Sequence, residues 1–121
     1  MARRKGFDVE PFLPLTDVAF EVALALMEGE RHGYAIMQQV EQRTEGRVSL
    51  HPGTLYRAIG RMVNDGLIEE VAGSRRTPPD NRKRRFYRLT SAGKAVAAEN
   101  ARRLASQVRA ARSSRLIPEG T

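Results

Sequence analysis

The stretch that decides the fold runs from Leu50 to Val71 and has the sequence LHPGTLYRAIGRMVNDGLIEEV. Pro52 suits the first position of a helix, because proline lacks the N–H group that would be unpaired there. Four apolar residues then recur at helical spacing and predict one buried face: Leu55, Ile59, Met62 and Val63. Gly66 follows where a left-handed residue commonly ends a helix, so this stretch predicts an amphipathic helix from Pro52 to about Asp65.

The opposite face of this helix carries short polar, aromatic and cationic side chains close to its N-terminus. A helix N-terminus favours anions, and two arginines on the same face add positive charge. We interpret this pattern as typical of a DNA recognition helix, although a solvated surface helix would show scattered cations too. The candidate DNA-binding residues here are His51, Gly53, Thr54, Tyr56, Arg57 and Arg61.

Composition restricts the function classes. The chain has 121 residues and a net charge of +7, which favours a single domain with a nucleic-acid partner. It lacks cysteine, and no apolar run approaches a membrane span or a signal peptide, so we expect a cytoplasmic protein without disulfides. No phosphate loop, nucleophile elbow or paired-carboxylate cleft is visible. We therefore expect no enzyme activity, no cofactor and no bound metal.

The elements predict a mainly α fold with a small β-hairpin, a winged helix-turn-helix domain followed by a dimerisation helix. Helices are expected from Thr16, its N-cap, to about Glu28, and from His32 and Gly33 to about Thr44. Residues 29–31 are expected to form a turn. The predicted divisions are an N-terminal arm, partly extended (1–14), the DNA-binding domain (15–90), the dimerisation helix (91–115) and a frayed tail (116–121).

Residues 67–71 are expected to form a strand, and the alternation of residues 83–89 predicts a second one, so the two predict a hairpin. The loop between them contains Pro78 and Pro79 and many cations. Such a charge run is commonly just a solvated loop, but at a hairpin tip it would lie along DNA as the wing. The candidate DNA-binding residues of the wing are Arg75, Arg76, Arg82, Lys83 and Arg84. Arg85 is expected to point inward with Tyr87.

Two helices carry more apolar surface than one small domain can cover. The last helix, Ser91 to about Ser113, has apolar residues at alternating steps of four and three, the spacing of a helix that pairs with another. The first helix is apolar on every side. The predicted dimer interface consists of Phe20, Leu24, Met27, Ala97, Ala101, Leu104, Val108 and Ala111. Alternatively, the residues on the first helix line an effector cavity together with Phe12.

Several single residues favour structural roles. His32 is expected to cap the second helix, and a metal pair with His51 is disfavoured because no cysteine or spaced carboxylate accompanies them. Tyr34 and Tyr87 are expected to pack with their hydroxyl groups at the edge of the core. None of these residues is predicted to be catalytic.

Four stretches resemble the PadR family of winged-helix transcriptional regulators: Glu30–Ile36 (ERHGYAI), Pro52–Tyr56 (PGTLY), Asp65–Ile68 (DGLI) and Arg85–Thr90 (RFYRLT) with Gly93. The resemblance implies a homodimer in which the last helix of each subunit packs on the first helix of the other. It also implies operator DNA as partner, repression of a nearby promoter, and a small-molecule effector near the dimer interface.

His51 departs from the family pattern, which commonly has Ser or Asn there, so we expect a weaker cap on the recognition helix. Two other functions remain open from the sequence. One is a nonspecific architectural DNA-binding protein. The other is a protein-interaction module that docks an acidic partner on the basic loop.

Overall fold

The computed structural model describes residues 7–72, 85–118 and 120. Within these ranges the predicted helices and strands occur in the predicted order, and the structure adds a 3₁₀ turn at Glu10–Phe12 and one short strand before α2. The helices are α1 (Asp17–Leu26), α2 (Gly33–Arg43), α3 (Pro52–Asn64) and α4 (Ser91–Ser113). The strands are β1 (Arg31–His32), β2 (Ile68–Val71) and β3 (Phe86–Leu89). The prediction of a mainly helical fold with a small sheet is confirmed.

The helix starts follow from their capping residues. Three side chains accept a hydrogen bond from the backbone N–H three residues later, namely Thr16 (3.1 Å), His32 (3.2 Å) and Thr90 (3.0 Å). Each of them satisfies one of the N–H groups that a helix leaves unpaired at its start. The capping roles predicted for Thr16 and His32 are confirmed, and Thr90 caps α4 in the same way. His51 precedes α3 without a side-chain cap, as its departure from Ser or Asn predicts.

The core lies where α1, α2, α3 and the sheet meet. Its most completely buried side chains are Val22, Ile36, Val40, Leu55, Ile59, Ile68 and Val96. The prediction that Val63 belongs to this core is wrong, since its side chain is exposed. Val63 follows Met62 by one residue, which turns it about 100° around the helix and away from the buried face.

The sheet has three strands in the order β1-β3-β2, all antiparallel, so β3 is central. The expectation of a turn over residues 29–31 missed β1. Arg31 and His32 pair with Tyr87 and Phe86, which lie more than fifty residues further along the chain. This pairing fixes the start of α2 against the base of the hairpin.

A close contact positions α4 on the turn after α3. The Thr90 hydroxyl donates a 2.7 Å hydrogen bond to the carbonyl oxygen of Gly66, whose φ is +78°. A Cβ at Gly93 would lie 2.0 Å from the carbonyl oxygen of Leu67. Glycine is therefore required at residue 93, where the first turn of α4 meets the backbone.

The segment before α1 is tied to α4 and is not simply extended, as the 3₁₀ turn shows. The backbone N–H of Leu15 donates a 3.0 Å hydrogen bond to Oδ1 of the buried Asn100. Arg103 forms an ion pair with Glu10 in the turn.

Among the helices that the structure describes, none is both long and apolar enough to cross a membrane.

Candidate nucleic-acid interface

Helix α3 separates a buried face from an exposed one. Leu55, Ile59 and Met62 pack into the core, which fixes the rotation of the helix. The predicted DNA-binding residues lie on the other side: His51, Gly53, Tyr56, Arg57 and Arg61 are exposed, and Thr54 is half-buried. The structure therefore brings all six onto one accessible surface, which we call the α3 face.

The α3 face has positive charge without an internal partner. The Arg57 guanidinium makes one long contact, 3.5 Å to Oγ1 of Thr54 on the preceding turn. Among the described residues, no carboxylate forms an ion pair with Arg57 or Arg61. Arginine offers five N–H donors in a planar fork that matches phosphate oxygens. Both guanidinium groups are thus available to an anionic partner.

The hairpin base is formed by β2 and β3, with Val71 opposite Phe86. Two ion pairs cross it, Arg88 to Glu69 at 2.8 Å and Arg85 to Glu70 at 3.6 Å. The five cations predicted for the wing lie outside the described residues: Arg75, Arg76, Arg82, Lys83 and Arg84. Their role in DNA binding stays a prediction. Arg85 is exposed, so the expectation that it points inward is wrong, although its side chain does interact with Tyr87.

A cavity of about 380 Å³ opens between α2, α3 and β3, and we call it the tyrosine cavity. Its lining residues are His32, Gly33, Tyr34, Tyr56, Arg85 and Tyr87. They come from three of the four stretches that resemble the PadR family. These stretches are far apart in the chain, and the fold joins them at one place on the surface.

Aromatic contacts build the walls of the tyrosine cavity. The rings of His32 and Tyr34 are stacked with centroids 6.5 Å apart, and Phe86 meets His32 edge-on at 5.4 Å. The Tyr56 ring reaches across to α2, where a Cβ on Gly33 would lie 2.2 Å from its hydroxyl oxygen. The absence of a side chain at residue 33 thus lets α3 contact the start of α2.

Tyr87 forms the floor of the tyrosine cavity and is buried. Burial raises the pKa of Tyr87, and the nearby Glu70 carboxylate and Tyr56 raise it further, while Arg85 opposes the shift. The hydroxyl group is therefore protonated at neutral pH and can donate a hydrogen bond.

Sequence reasoning missed that Tyr34, Arg85 and Tyr87 share a site with Tyr56. Tyr34 and Tyr87 were expected only to pack, and Tyr87 does lie in the core, whereas Tyr34 is exposed. The nearest signal in the sequence is that two of the family-like stretches contain a tyrosine beside a His-Gly or an Arg-Phe pair. Only the pairing of β1 with β3 shows that they meet.

The residues predicted at the dimer interface lie in different environments. On α1, Phe20 and Leu24 are half-buried, and Met27, just after the helix, is exposed. On α4, every residue from Ala101 to Ala110 is exposed, including Leu104 (43 %) and Val108 (40 %), and Ala111 is half-buried. Ala97 lies in the core of its own chain, so the exposed part of the stripe begins at Ala101.

A second groove, of about 800 Å³, lies between the segment before α1 and α3. Phe12 and Leu13 line one side, and Arg57, Ala58 and Arg61 line the other. Phe12 thus faces α3 in this groove, whereas the alternative from the sequence grouped it with residues on α1. Among the described residues, no three His, Asp or Glu side chains cluster as ligands for a metal ion.

Solved structures share this fold. A PadR family transcription regulator from Clostridium difficile R20291 superposes with a TM-score of 0.66 at 24 % identity, covering 84 % of this chain and all of that one. A transcriptional regulator from Clostridium thermocellum gives 0.67 at 21 % identity, covering 87 % and 91 %. Bacillus subtilis PadR in complex with operator DNA gives 0.58 at 19 % identity, covering 69 % and 46 %.

Two curated proteins are similar in sequence. The transcriptional regulator Rv3488 of Mycobacterium tuberculosis is 40 % identical over 77 residues, or 64 % of this chain. An uncharacterized protein X of Lysinibacillus sphaericus is 35 % identical over 74 residues, or 61 % of this chain. The chain spans 65 % of the length of each. Residues 23–99 match the model of the transcriptional regulator PadR-like family, and the chain therefore belongs to that family.

Proposed function

We propose that this protein is a sequence-specific DNA-binding regulator of transcription that acts as a homodimer. The observation that carries the proposal is the α3 face, where Arg57 and Arg61 are exposed and form no ion pair with a described carboxylate. A helix with its apolar side buried and its cationic side exposed can enter the major groove as a rigid unit.

The net charge and the structural similarity to a DNA-bound protein both support DNA as the partner. The net charge of +7 favours a polyanion, and neutralising DNA phosphates releases their counterions. The Bacillus subtilis protein that shares the fold was solved with operator DNA. We extend that partner to this chain because the α3 face presents donors where a recognition helix needs them.

The homodimer is proposed from uncovered apolar surface. Helix α4 has 23 residues and a length of about 34 Å, and its second half exposes Ala101, Leu104 and Val108. Met27 adds exposed apolar surface after α1. A second copy, packing its α4 against this α1 and the reverse, would cover these residues and set two α3 helices about a twofold axis.

Repression and effector binding are the finer parts of the proposal. A dimer on an operator would block a promoter by occupying it, and a small molecule at the dimer interface would release it by changing the separation of the two α3 helices. Catalysis forms no part of this function.

The test is the double variant Arg57→Ala/Arg61→Ala, measured by fluorescence anisotropy on a duplex that the wild-type protein selects. If the dimer neutralises on the order of 8 phosphates, log affinity falls against log salt with a slope of about −7. The double variant is expected to lose the selected duplex and to remain folded. Its matched control is Lys94→Ala/Arg109→Ala, which removes two exposed cations from α4 and is expected to keep DNA binding.

The same measurement separates the two other functions. A nonspecific architectural protein would show the salt slope but would bind an unrelated duplex equally well. A protein-interaction module would retain its acidic protein partner after loss of Arg57 and Arg61. Unchanged DNA affinity in the double variant contradicts the assignment of the α3 face.

A further inference from the structure

We infer that the tyrosine cavity holds one backbone phosphate of the bound DNA, through the hydroxyl groups of Tyr34 and Tyr56 and the guanidinium of Arg85. This inference rests on the proposed function and adds a contact site separate from Arg57 and Arg61. It assigns a binding role to Tyr34 and Arg85, for which the sequence indicated only packing.

The exposure of the aromatic rings is the first argument. Tyr34 and Tyr56 are 55 % and 48 % exposed, although burial of a tyrosine ring is energetically favourable. Both rings line the same cavity, and Arg85 lies at it with an exposed side chain. Two exposed tyrosines and an arginine that converge from α2, α3 and β3 are typical of a surface that a partner covers.

The chemistry of the lining selects the partner. Tyrosine hydroxyl groups and the arginine guanidinium can all donate hydrogen bonds, and the oxygens of a phosphodiester can only accept them. The cavity of about 380 Å³ exceeds the volume of an isolated phosphate ion. A nucleic-acid backbone fits better, because its sugars can pack against the faces of Tyr34 and Tyr56.

The position of the tyrosine cavity also suits a contact with the DNA backbone beside α3. It lies between the α3 face and β3. When α3 enters a major groove, the phosphates that border the groove on the side of β3 pass over this opening. Tyr56 belongs both to α3 and to the cavity wall, so the contact also sets the depth of α3 in the groove.

In the free protein, Glu70 pairs with Arg85 and so weakens the attraction of the cavity for phosphate. Its carboxylate lies 3.6 Å from the Arg85 guanidinium, and the two side chains are 48 % and 75 % exposed, respectively. A phosphate that binds Arg85 must compete with Glu70 and also meets its negative charge. The variant Glu70→Gln is therefore expected to tighten DNA binding several-fold, and the gain is expected to become smaller when Arg85→Ala is also present, because only the repulsion then remains.

The test uses the full chain and its selected duplex. We expect Tyr34→Phe and Tyr56→Phe each to weaken binding roughly ten- to hundredfold, since each removes one hydrogen bond to a charged acceptor. We expect Arg85→Ala to weaken binding and to reduce the salt slope by about 1 per protomer site. The matched control is Arg88→Ala, which removes a neighbouring exposed arginine outside the cavity and is expected to leave affinity and slope unchanged.

Neutral methylphosphonate linkages, placed one at a time along the duplex, locate the contact. One position is expected to weaken the wild-type protein but to have no further effect on Arg85→Ala. If no position behaves in this way, or if Glu70→Gln weakens binding, the inference is wrong. Loss of affinity in Arg57→Ala/Arg61→Ala together with full affinity in all cavity variants would reject the phosphate site alone and leave the proposed function standing.

Inorganic phosphate tests whether the tyrosine cavity instead binds a small phosphate ligand. It is titrated while the amide resonance of Gly33 is followed by NMR. We expect no saturable shift below about 10 mM phosphate. A single-ion contact of this weak kind has an association constant on the order of 10² M⁻¹, which corresponds to a Kd of about 10 mM. Saturation at micromolar phosphate would instead assign the cavity to a small phosphate ligand and overturn the DNA contact.

Discussion

The hydroxyl group of Tyr56 lies over the Cα of Gly33, so that a methyl group added at residue 33 would be 2.2 Å from the oxygen and 2.7 Å from the ring carbon that carries it. This contact joins α3 to the start of α2. It also holds the Tyr56 ring as one wall of the tyrosine cavity.

Replacement of Gly33 by alanine is expected to drive the Tyr56 ring out of its place, because the ring and a Cβ cannot share that space. DNA affinity should fall about as far as in Tyr56→Ala, while the free energy of unfolding should fall by only about 1 kcal/mol, since the half-exposed ring can move into solvent. The effects of Gly33→Ala and Tyr56→Ala on DNA affinity should not add when both substitutions are present.

Gly60→Ala serves as the control for Gly33→Ala in the stability measurement. Gly60 is exposed in α3, and a Cβ there meets no atom within 4 Å. Alanine at this site should stabilise the protein by about 0.5–1 kcal/mol through helix propensity. Equal destabilisation by the two alanines in urea unfolding would contradict the Gly33 contact.

Asn100 is expected to hold the segment before α1 in place. In Asn100→Ala the part-buried N–H of Leu15 loses its acceptor, which should cost about 1–3 kcal/mol of unfolding free energy. Hydrogen exchange at the Leu15 amide should become faster at the same time. Asn64→Ala, at an exposed position, should change stability by less than about 0.5 kcal/mol, and a slow Leu15 amide in Asn100→Ala would disprove the anchor.

The proposed dimer depends on the exposed stripe of α4. Leu104→Glu/Val108→Glu places two charges within it and is expected to yield a monomer in sedimentation equilibrium, with weaker binding to a two-half-site duplex. Ser106→Glu/Ser113→Glu adds the same charge on the opposite side of α4 and should remain dimeric. A dimer that survives the first pair unchanged would show that another surface joins the subunits.

Tyr87 gives a prediction in alkaline solution. Its pKa is raised in the folded protein, chiefly by burial, so the folded state favours the protonated hydroxyl more than the unfolded state does. Its contribution to stability is fully present below the ordinary tyrosine pKa of about 10 and is lost as pH rises through the folded value. The unfolding free energy should fall less steeply above pH 10 in Tyr87→Phe than in the wild type. Parallel pH profiles of the two proteins would exclude this linkage.

The sequence was sufficient where local signals agree. Pro52 and Gly66 bracket α3, and Thr90 caps α4, so both helices were predicted within one or two residues of their observed ends. Strand β1 was missed because two residues, Arg31 and His32, carry no periodicity and are ordered only by pairing with β3.

The candidate site was predicted in part for the same reason. The α3 face follows from helical periodicity, which places Arg57 and Arg61 one turn apart and opposite Leu55 and Ile59. The tyrosine cavity depends on contacts between distant segments, such as that of Tyr56 with Gly33. No local pattern determines such contacts, because they follow from how α2, α3 and β3 pack.

The most direct measurement is the selection of bound duplexes from a random pool by the purified protein, followed by sequencing. We predict one enriched motif with two inverted half-sites whose centres lie 10–10.5 base pairs apart, or a multiple of that spacing. A pool that binds without any enriched motif, or a motif without twofold symmetry, would contradict a dimer that inserts two α3 helices into DNA.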